Sequence, residues 1–415
     1  MNKKTYDLIV VGGGAAGMLA SAVAAERGLD TLLVEKNARC GRKLGITGKG
    51  RCNLTNDTTP KDVIDHIPTG GRFLYSAVSA FPPESVKEAF SSMGVPLKTE
   101  RGRRVFPVSD RAADVVSALE RRMKRAGTQL LRANVTSVIC EDGICRGVNT
   151  EAGPIRAPRV LLCTGGASYP ATGSDGSGYR IAEKLGHTVI APAPSLVPLV
   201  AAGEDCAEMQ GLSLRNVTLT VTDGSRRPVF QEFGELLFTH YGLSGPLILS
   251  ASAHMRDFRS KRYVCHIDLK PALDESTLDA RILRDFSENP NRDFVNVLPS
   301  LVNRLMVPVI VRRSGIPAHA KVNSVTKMQR RALVSLLKDL SFEIEGPRPI
   351  EEAIVTSGGV DTREIDPKTM ESKLVGGLYF AGEIINCDGY TGGFNLQIAW
   401  STAYAAAVHM EPEEI

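Results

Sequence analysis

The sequence predicts an α/β protein: a Rossmann-like nucleotide-binding domain made from both chain ends, interrupted by a β-rich insertion and then a helical insertion. Three observations predict it. An apolar strand, a glycine-rich turn and a small-residue helix follow one another between Tyr6 and Arg27. Proline-rich texture begins near Ala191, and strand-and-glycine texture returns after Glu345. A second strand–glycine–helix joint runs from Gly377 towards the end of the chain. The expected boundaries are 1–190 with 345–415 for the nucleotide domain, 191–275 for the β-rich insertion and 276–344 for the helical one.

Tyr6 to Val11 is apolar at every position but Asp7, the pattern of a strand buried on both faces. Ala15 to Arg27 reads as a helix of small residues, and Thr31 to Val34 as a second buried strand. This β-α-β order implies a parallel sheet with helices on its faces. Gln129 to Val138 and Gly147 to Thr150 read as strands on either side of a turn at Glu141-Asp142-Gly143, and Arg159 to Cys163 as another short strand. Pro192, Pro194 and Pro198 mark the first boundary. Short strands with turns at Asp223-Gly224 and Tyr241-Gly242 follow. Phe294, Val297, Leu298, Leu301, Val302 and Leu305 then recur near a 3.6-residue period, as do Ala332, Leu333, Leu336 and Leu337.

Composition narrows the class. With 415 residues, 43% hydrophobic and 23% charged, the chain is long enough to enclose a large cofactor. The net charge is +4, and two basic runs stand out: Arg101-Gly102-Arg103-Arg104 and Arg121-Arg122-Met123-Lys124-Arg125. The second closes an apparent helix, where cations complement the dipole, so a nucleic-acid partner is not expected from charge alone. Eight cysteines without paired ligand spacing predict reduced thiols, no metal site and a cytoplasmic setting. The N-terminal apolar stretch is broken by Gly12-Gly13-Gly14, which argues against a secretion signal, and no later run reaches membrane-spanning length.

The strongest motif is Gly12-Gly13-Gly14-Ala15-Ala16-Gly17, a G-x-G-x-x-G that follows a strand and opens a helix. Gly12 permits the tight turn, Gly14 lets a pyrophosphate approach the backbone, and Gly17 allows close helix–strand packing. The amides of Ala15, Ala16 and Gly17 face the phosphates, where the helix dipole favours negative charge. Glu35 ends the second strand, where an acid accepts hydrogen bonds from an adenosine ribose, with Lys36 beside it.

Two further stretches favour FAD over NAD. Arg39 to Asn56 is a glycine-rich, basic loop suited to wrapping a long dinucleotide, with Arg42, Lys43, Leu44, Gly48 and Asn53 as candidate contacts. In Gly377 to Gln397 a strand ends at Gly382-Glu383, and Gly392-Gly393 opens a helix at Phe394-Asn395-Leu396. Glu383 is placed to bind a ribitol hydroxyl. The helix start, with Gly393, Asn395 and Leu396, is placed to stabilise charge on the pyrimidine edge of a reduced flavin.

These stretches, with Cys163-Thr164-Gly165-Gly166 and the run from Phe238 to Pro246, resemble the bacterial FAD-dependent oxidoreductases of the BaiN/YhiN type across essentially the whole chain. The resemblance implies a glutathione-reductase-like FAD-binding fold with inserted domains and tightly bound FAD. It implies adenine contact at the backbone of Val135 and further cofactor contacts at Thr164 and Gly165. It also implies reduction of an activated C=C bond in a hydrophobic 3-oxo substrate of bile-acid or steroid type. An amine or aminoacetone oxidase releasing hydrogen peroxide, and a flavoprotein that acts on RNA or senses redox state, are the alternatives. NAD(P)H is the expected donor. It would bind transiently, because Gly173-Ser174-Asp175-Gly176-Ser177-Gly178 fails the spacing of a second dinucleotide motif.

Reducing an enone requires a donor to polarise the carbonyl and an acid for the other carbon. Tyr241, His240, Tyr390 and Arg51 are the candidates. Cys140 and Cys145 have the C-x-x-x-x-C spacing of some flavin disulfide reductases, but they bracket a hairpin-like turn remote in sequence from the cofactor loops, so no disulfide chemistry is expected.

Overall fold

The structure is a computed structural model describing residues 5–225 and 227–411. Contacts divide the chain into two compact units, one formed by the chain up to Ser195 together with the chain from Pro349 onward, the other by Leu196–Arg348.

The first unit is built on a five-stranded parallel sheet. Its spatial order is Leu378–Phe380, Arg159–Leu162, Leu8–Val11, Thr31–Glu35 and Gln129–Arg132. The first strand is buried at every position, as its unbroken apolar run requires. Strand Arg159–Leu162 lies between the N-terminal strand and the C-terminal one, so the sheet joins the two ends of the chain. The first helix, Ala15–Glu26, and the last, Phe394–His409, are buried along most of their length. Small residues allow that: alanine, serine and glycine bring helix backbones close without side-chain clashes. Trp400, fully buried in the last helix, donates its indole N–H to the Leu54 carbonyl at 2.9 Å. Three smaller antiparallel sheets complete the unit.

The second unit is a closed six-stranded antiparallel barrel. Its strands run Leu199–Ala201, Gly242–Ser244, Phe230–Thr239, Ser213–Thr222, Tyr263–Asp268 and Leu340–Pro347 around the wall. Burial alternates along Tyr263–Asp268, the period-two signature of a strand with one face inward. Helices Glu275–Glu288, Val307–Ser314 and Lys327–Lys338 share one hydrophobic core with the barrel.

The structure differs here from the sequence-derived boundaries. Strand Leu340–Pro347 pairs with Tyr263–Asp268 and with Leu199–Ala201, so the barrel closes only after the helices have been made. The helical stretch expected over 276–344 as its own domain is therefore an excursion of the barrel unit. Residues 191–195 also change sides, since Val189–Ser195 pairs with Val355–Val360 in the first unit. Periodicity reports the type of each element but is blind to pairing between strands far apart in the chain. The basic loop expected from Arg39 to Asn56 contains a helix, Arg42–Gly50, broken where Thr47, Gly48 and Lys49 leave helical geometry.

Phe238 and Phe342 meet edge to face inside the barrel core, ring centroids 5.7 Å apart, and both are buried. Phe238→Ala is expected to destabilise the barrel unit by about 3–5 kcal/mol. A urea titration would show this as a lower midpoint at unchanged slope; an unshifted midpoint would contradict the packing described.

Candidate active site

The turn between the first strand and the first helix is shaped by contacts that exclude side chains. Gly12 has φ +100°, and a Cβ there would lie 2.6 Å from the Cys163 carbonyl oxygen. A Cβ on Gly17 would lie 1.9 Å from the Gly12 carbonyl oxygen. Gly14 differs, because a Cβ there would meet nothing within 4 Å. Packing therefore does not require glycine at Gly14, and what the missing side chain leaves open is space at a helix start. The first amides of a helix have no intrahelical acceptors, and the dipole favours an anion. A dinucleotide pyrophosphate fits that cradle. Ala15 and Ala16 form the first turn, and Ala16 also approaches Gly382 from the far end of the chain.

Glu35 is buried at the end of the second strand. One carboxylate oxygen accepts from the Gly13 amide at 2.6 Å, the other from the Asn37 amide and side chain at 2.7 Å each. The acid is thus fixed against the glycine turn. Lys36 pairs with Asp175 at 2.8 Å, and Arg42 donates to the Asn37 side chain at 2.9 Å. Val135 begins the strand Val135–Glu141 and is buried.

Lys43 and Glu383 bring the two chain ends together chemically. The Lys43 ammonium lies 2.6 Å from the Glu383 carboxylate and 2.7 Å from the Ser168 hydroxyl. Glu383 also accepts from Ser168 at 3.1 Å and from the Thr356 amide at 2.9 Å. Glu383, read from the sequence as a ribitol ligand, already has three donors. Lys43, read as a wrapping cation, is directed at Glu383. Ser168 and Thr356 escaped notice because neither lies in a recognisable motif.

Three buried polar atoms near these loops have no hydrogen-bond partner among the described residues: Asn53 Oδ1, Thr164 Oγ1 and Ser174 Oγ. An unsatisfied buried polar group costs about 1–3 kcal/mol, so such atoms mark places for a ligand's complementary groups. Asn53 follows Cys52, a non-glycine residue held at φ +60°, and its amide adjoins Gly48, also left-handed. Ser174 abuts Gly165, where a Cβ would lie 2.9 Å from its hydroxyl. A polar molecule that both donates and accepts, such as FAD, suits this set: the Asn53 oxygen needs a donor, and the two hydroxyls can donate or accept. Ser174 carries no sequence signal, because its glycine-rich stretch fails dinucleotide spacing. Leu44 is buried.

The last helix starts at Gly393, whose φ is +104° and where a Cβ would strike the Thr55 backbone at 2.4 Å. Its first amides, including those of Asn395 and Leu396, lie at the positive end of the dipole. The Asn395 side chain does other work than the sequence suggests. Its oxygen accepts from the Gly389 amide at 2.9 Å, while its nitrogen donates to the Gly389 and Tyr390 carbonyls at 2.8 and 3.2 Å. It pins the loop that carries Tyr390.

Of the four candidate catalytic groups, Tyr390 and Arg51 belong to the first unit and His240 and Tyr241 to the second. Tyr390 stands on this pinned loop, edge-on to His66 with ring centroids 5.9 Å apart. Arg51 is committed, since its guanidinium lies 2.5 Å from both Glu100 and Asp110, and those carboxylates keep it firmly protonated. A guanidinium held between two carboxylates is a poor partner for a substrate carbonyl. His240 and Tyr241 sit on the turn between barrel strands Phe230–Thr239 and Gly242–Ser244. There Tyr241 packs under Arg348, 4.6 Å from ring centroid to guanidinium. The turn itself is tight, because a Cβ on Gly242 would lie 2.3 Å from the Leu199 carbonyl.

The thiols are free, and Cys140 alone is exposed. Cys140 and Cys145 are cross-strand neighbours in the hairpin of Val135–Glu141 and Ile144–Thr150. Burial pushes the Cys145 thiol up to about 11 and Cys52 up to about 12. No group of three or more metal-ligating side chains occurs among the described residues, and no described helix is long and apolar enough to cross a membrane.

Comparison with known proteins adds to this geometry. The family model described as "HI0933-like protein Rossmann domain" matches residues 6–409. A ribosomal RNA dihydrouridine synthase of Escherichia coli is 32% identical over 97% of both chains. A 3-dehydro-bile acid delta(4,6)-reductase of Clostridium scindens is 29% identical over 96% of this chain and 97% of its own. Among solved structures, a 3-ketosteroid delta1-dehydrogenase of Sterolibacterium denitrificans superposes with TM-score 0.51 at 13% identity, covering 98% of this chain and 99% of that one; this shows a shared fold.

Two outcomes follow from the site. Gly17→Val places side-chain atoms where the Gly12 carbonyl stands, so the purified variant is expected to lose FAD; a variant with full flavin content would refute the cradle. In folded protein at pH 8 an alkylating reagent is expected to modify Cys140 rapidly and the other seven thiols only after denaturation, as intact-mass measurement would show.

Proposed function

The chain belongs to the HI0933-like Rossmann-domain family of FAD-dependent oxidoreductases, and on that premise we propose that it saturates a C=C bond conjugated to a carbonyl, with a uridine of ribosomal RNA as the substrate. The observation that carries this reading is the pair of full-length relatives. One is named for making dihydrouridine and the other for removing double bonds from a 3-dehydro bile acid. Both names imply saturation of a C=C bond conjugated to a carbonyl, and the step proposed for this chain is the simplest of that class. The carbon β to the carbonyl gains a hydride, the carbon α to it gains a proton, and NAD(P)H, having lost the hydride, leaves as NAD(P)+.

FAD, when bound, carries the electron pair between the nucleotide donor and the alkene. The chain's own residues supply position and protons. Gly14 and the first helix would hold its phosphates and Glu35 its ribose, and the start of the last helix would stabilise negative charge on the reduced ring. Tyr390 is the group assigned to polarise the substrate carbonyl or deliver the proton, because Asn395 fixes its loop in the FAD-binding unit. Arg51 is left out of that role by its two carboxylate partners.

The two full-length relatives are about equally close, so they do not choose between RNA and a sterol-like substrate. RNA is preferred because the arginines at 103 and 104 are solvent-exposed, as a phosphate-binding surface requires. The 3-oxo bile-acid or steroid reading stands second, favoured by the Clostridium scindens relative.

Anaerobic NADH or NADPH is expected to bleach the flavin. Unmodified ribosomal RNA transcript should then restore its colour while acquiring dihydrouridine, detected by mass spectrometry. Recovery with a 3-oxo-Δ4 steroid alone would move the substrate to the second reading, and recovery with neither would sink the reaction. Tyr390→Phe is expected to lower turnover by about 10²-fold or more at unchanged flavin content; full turnover would remove Tyr390 from the chemistry.

A further inference from the structure

We infer that the arginine tip of the hairpin Leu97–Glu100 and Arg104–Pro107 is a phosphate clamp that holds an RNA backbone beside the turn opening the last helix; the inference rests on the RNA reading above. Arg101, Gly102, Arg103 and Arg104 are all exposed. Arg103 is 67% exposed in its side chain and held at φ +56°, a left-handed conformation that a β-carbon disfavours. What fixes it there is its carbonyl, which accepts from the Asp57 amide at 2.7 Å. Arg104 donates to the Arg101 carbonyl at 2.9 Å and closes the tip. The backbone is therefore organised so that cations project from a rigid turn.

The tip is also tied to the cofactor end of the unit. The Asn56 side-chain nitrogen donates both to the Gly102 carbonyl at 2.9 Å and to the Gly392 carbonyl at 3.1 Å. One buried amide thus spans from the arginine tip to the glycine pair that opens the last helix. Its neighbour Thr55 donates to Gln397 of that helix at 2.6 Å and pairs with Val105 of the hairpin. A polynucleotide gripped at the tip would present its bases close to the reacting edge.

Around Arg103 and Arg104, most of the described carboxylates are held by other cations. Glu100 and Asp110 are taken by Arg51 and Lys98, and Asp57 by Lys87. Asp62 stands 3.8 Å from Arg103, at the limit of an ion pair. The second basic run differs in setting: it ends the helix Ala112–Ala126, where Arg122 is bound to Glu26 at 2.8 Å. The phosphate class of ligand belongs to the hairpin.

The test compares R103G/R104A with R121A/R125A in the flavin-loaded protein, glycine at 103 being chosen because it keeps the left-handed turn. Binding to unmodified ribosomal RNA transcript is measured across a salt series. The hairpin variant is expected to bind at least tenfold more weakly. Its slope of log K against log salt should be shallower by about 1.4 for single-stranded contacts to about 1.8 for duplex ones. Its flavin spectrum and its bleaching by NAD(P)H should be unchanged, and the helix variant should bind as the parent does. Equal binding by parent and hairpin variant would overturn the clamp and leave the RNA reading standing. A parent protein that binds no RNA while its flavin still cycles would end both.

Discussion

The structure depends on one close approach, that of the first helix to the turn preceding it. With 1.9 Å between a hypothetical Cβ at Gly17 and the Gly12 carbonyl, no side chain fits. The helix axis is thereby aimed at the C-terminal edge of the sheet, where open parallel sheets place their ligands. The same turn packs on Cys163, the residue after strand Arg159–Leu162. Because that strand pairs with both the N-terminal and the C-terminal strands, the glycine corner also brings the last helix to the site.

Electrostatics then stiffen what packing has assembled. Glu35 ties the second strand to the turn, and Glu383 ties the last strand's end to Lys43, Ser168 and Thr356. The Lys43–Glu383 pair is only about one-fifth exposed on both sides, so the cost of desolvating the two charges offsets much of their attraction and the net stabilisation is small. Its value is geometric: it sets the spacing between a helix near the N-terminus and a turn near the C-terminus. Asn56 performs the same service between the arginine hairpin and the last helix, without charge.

Much of this was legible in the sequence, and the reasons are local. The glycine motif and the apolar strand before it announce themselves because both depend on consecutive residues, and Gly393 likewise marks a helix start. Roles that depend on distant partners were hidden. Asn395 looks like a ligand until its side chain is found holding Gly389 and Tyr390. Arg51 looks like a free cation until Glu100 and Asp110 fold against it. Ser168 and Thr356 carry no motif at all, and the barrel's closure by Leu340–Pro347 depends on pairing that no window of sequence can display. The basic hairpin was visible as composition; its link to the cofactor end through Asn56 was not.

The central claim is that one FAD sits across the two chain ends of the first unit. Its most direct test is an equilibrium titration of folded, flavin-stripped protein with FAD, followed by calorimetry. The account predicts saturation at one FAD per chain, with loss of that binding when Asn53 and Thr164 are replaced by valine. Saturable binding unaffected by those replacements, or no uptake by folded protein, would contradict it.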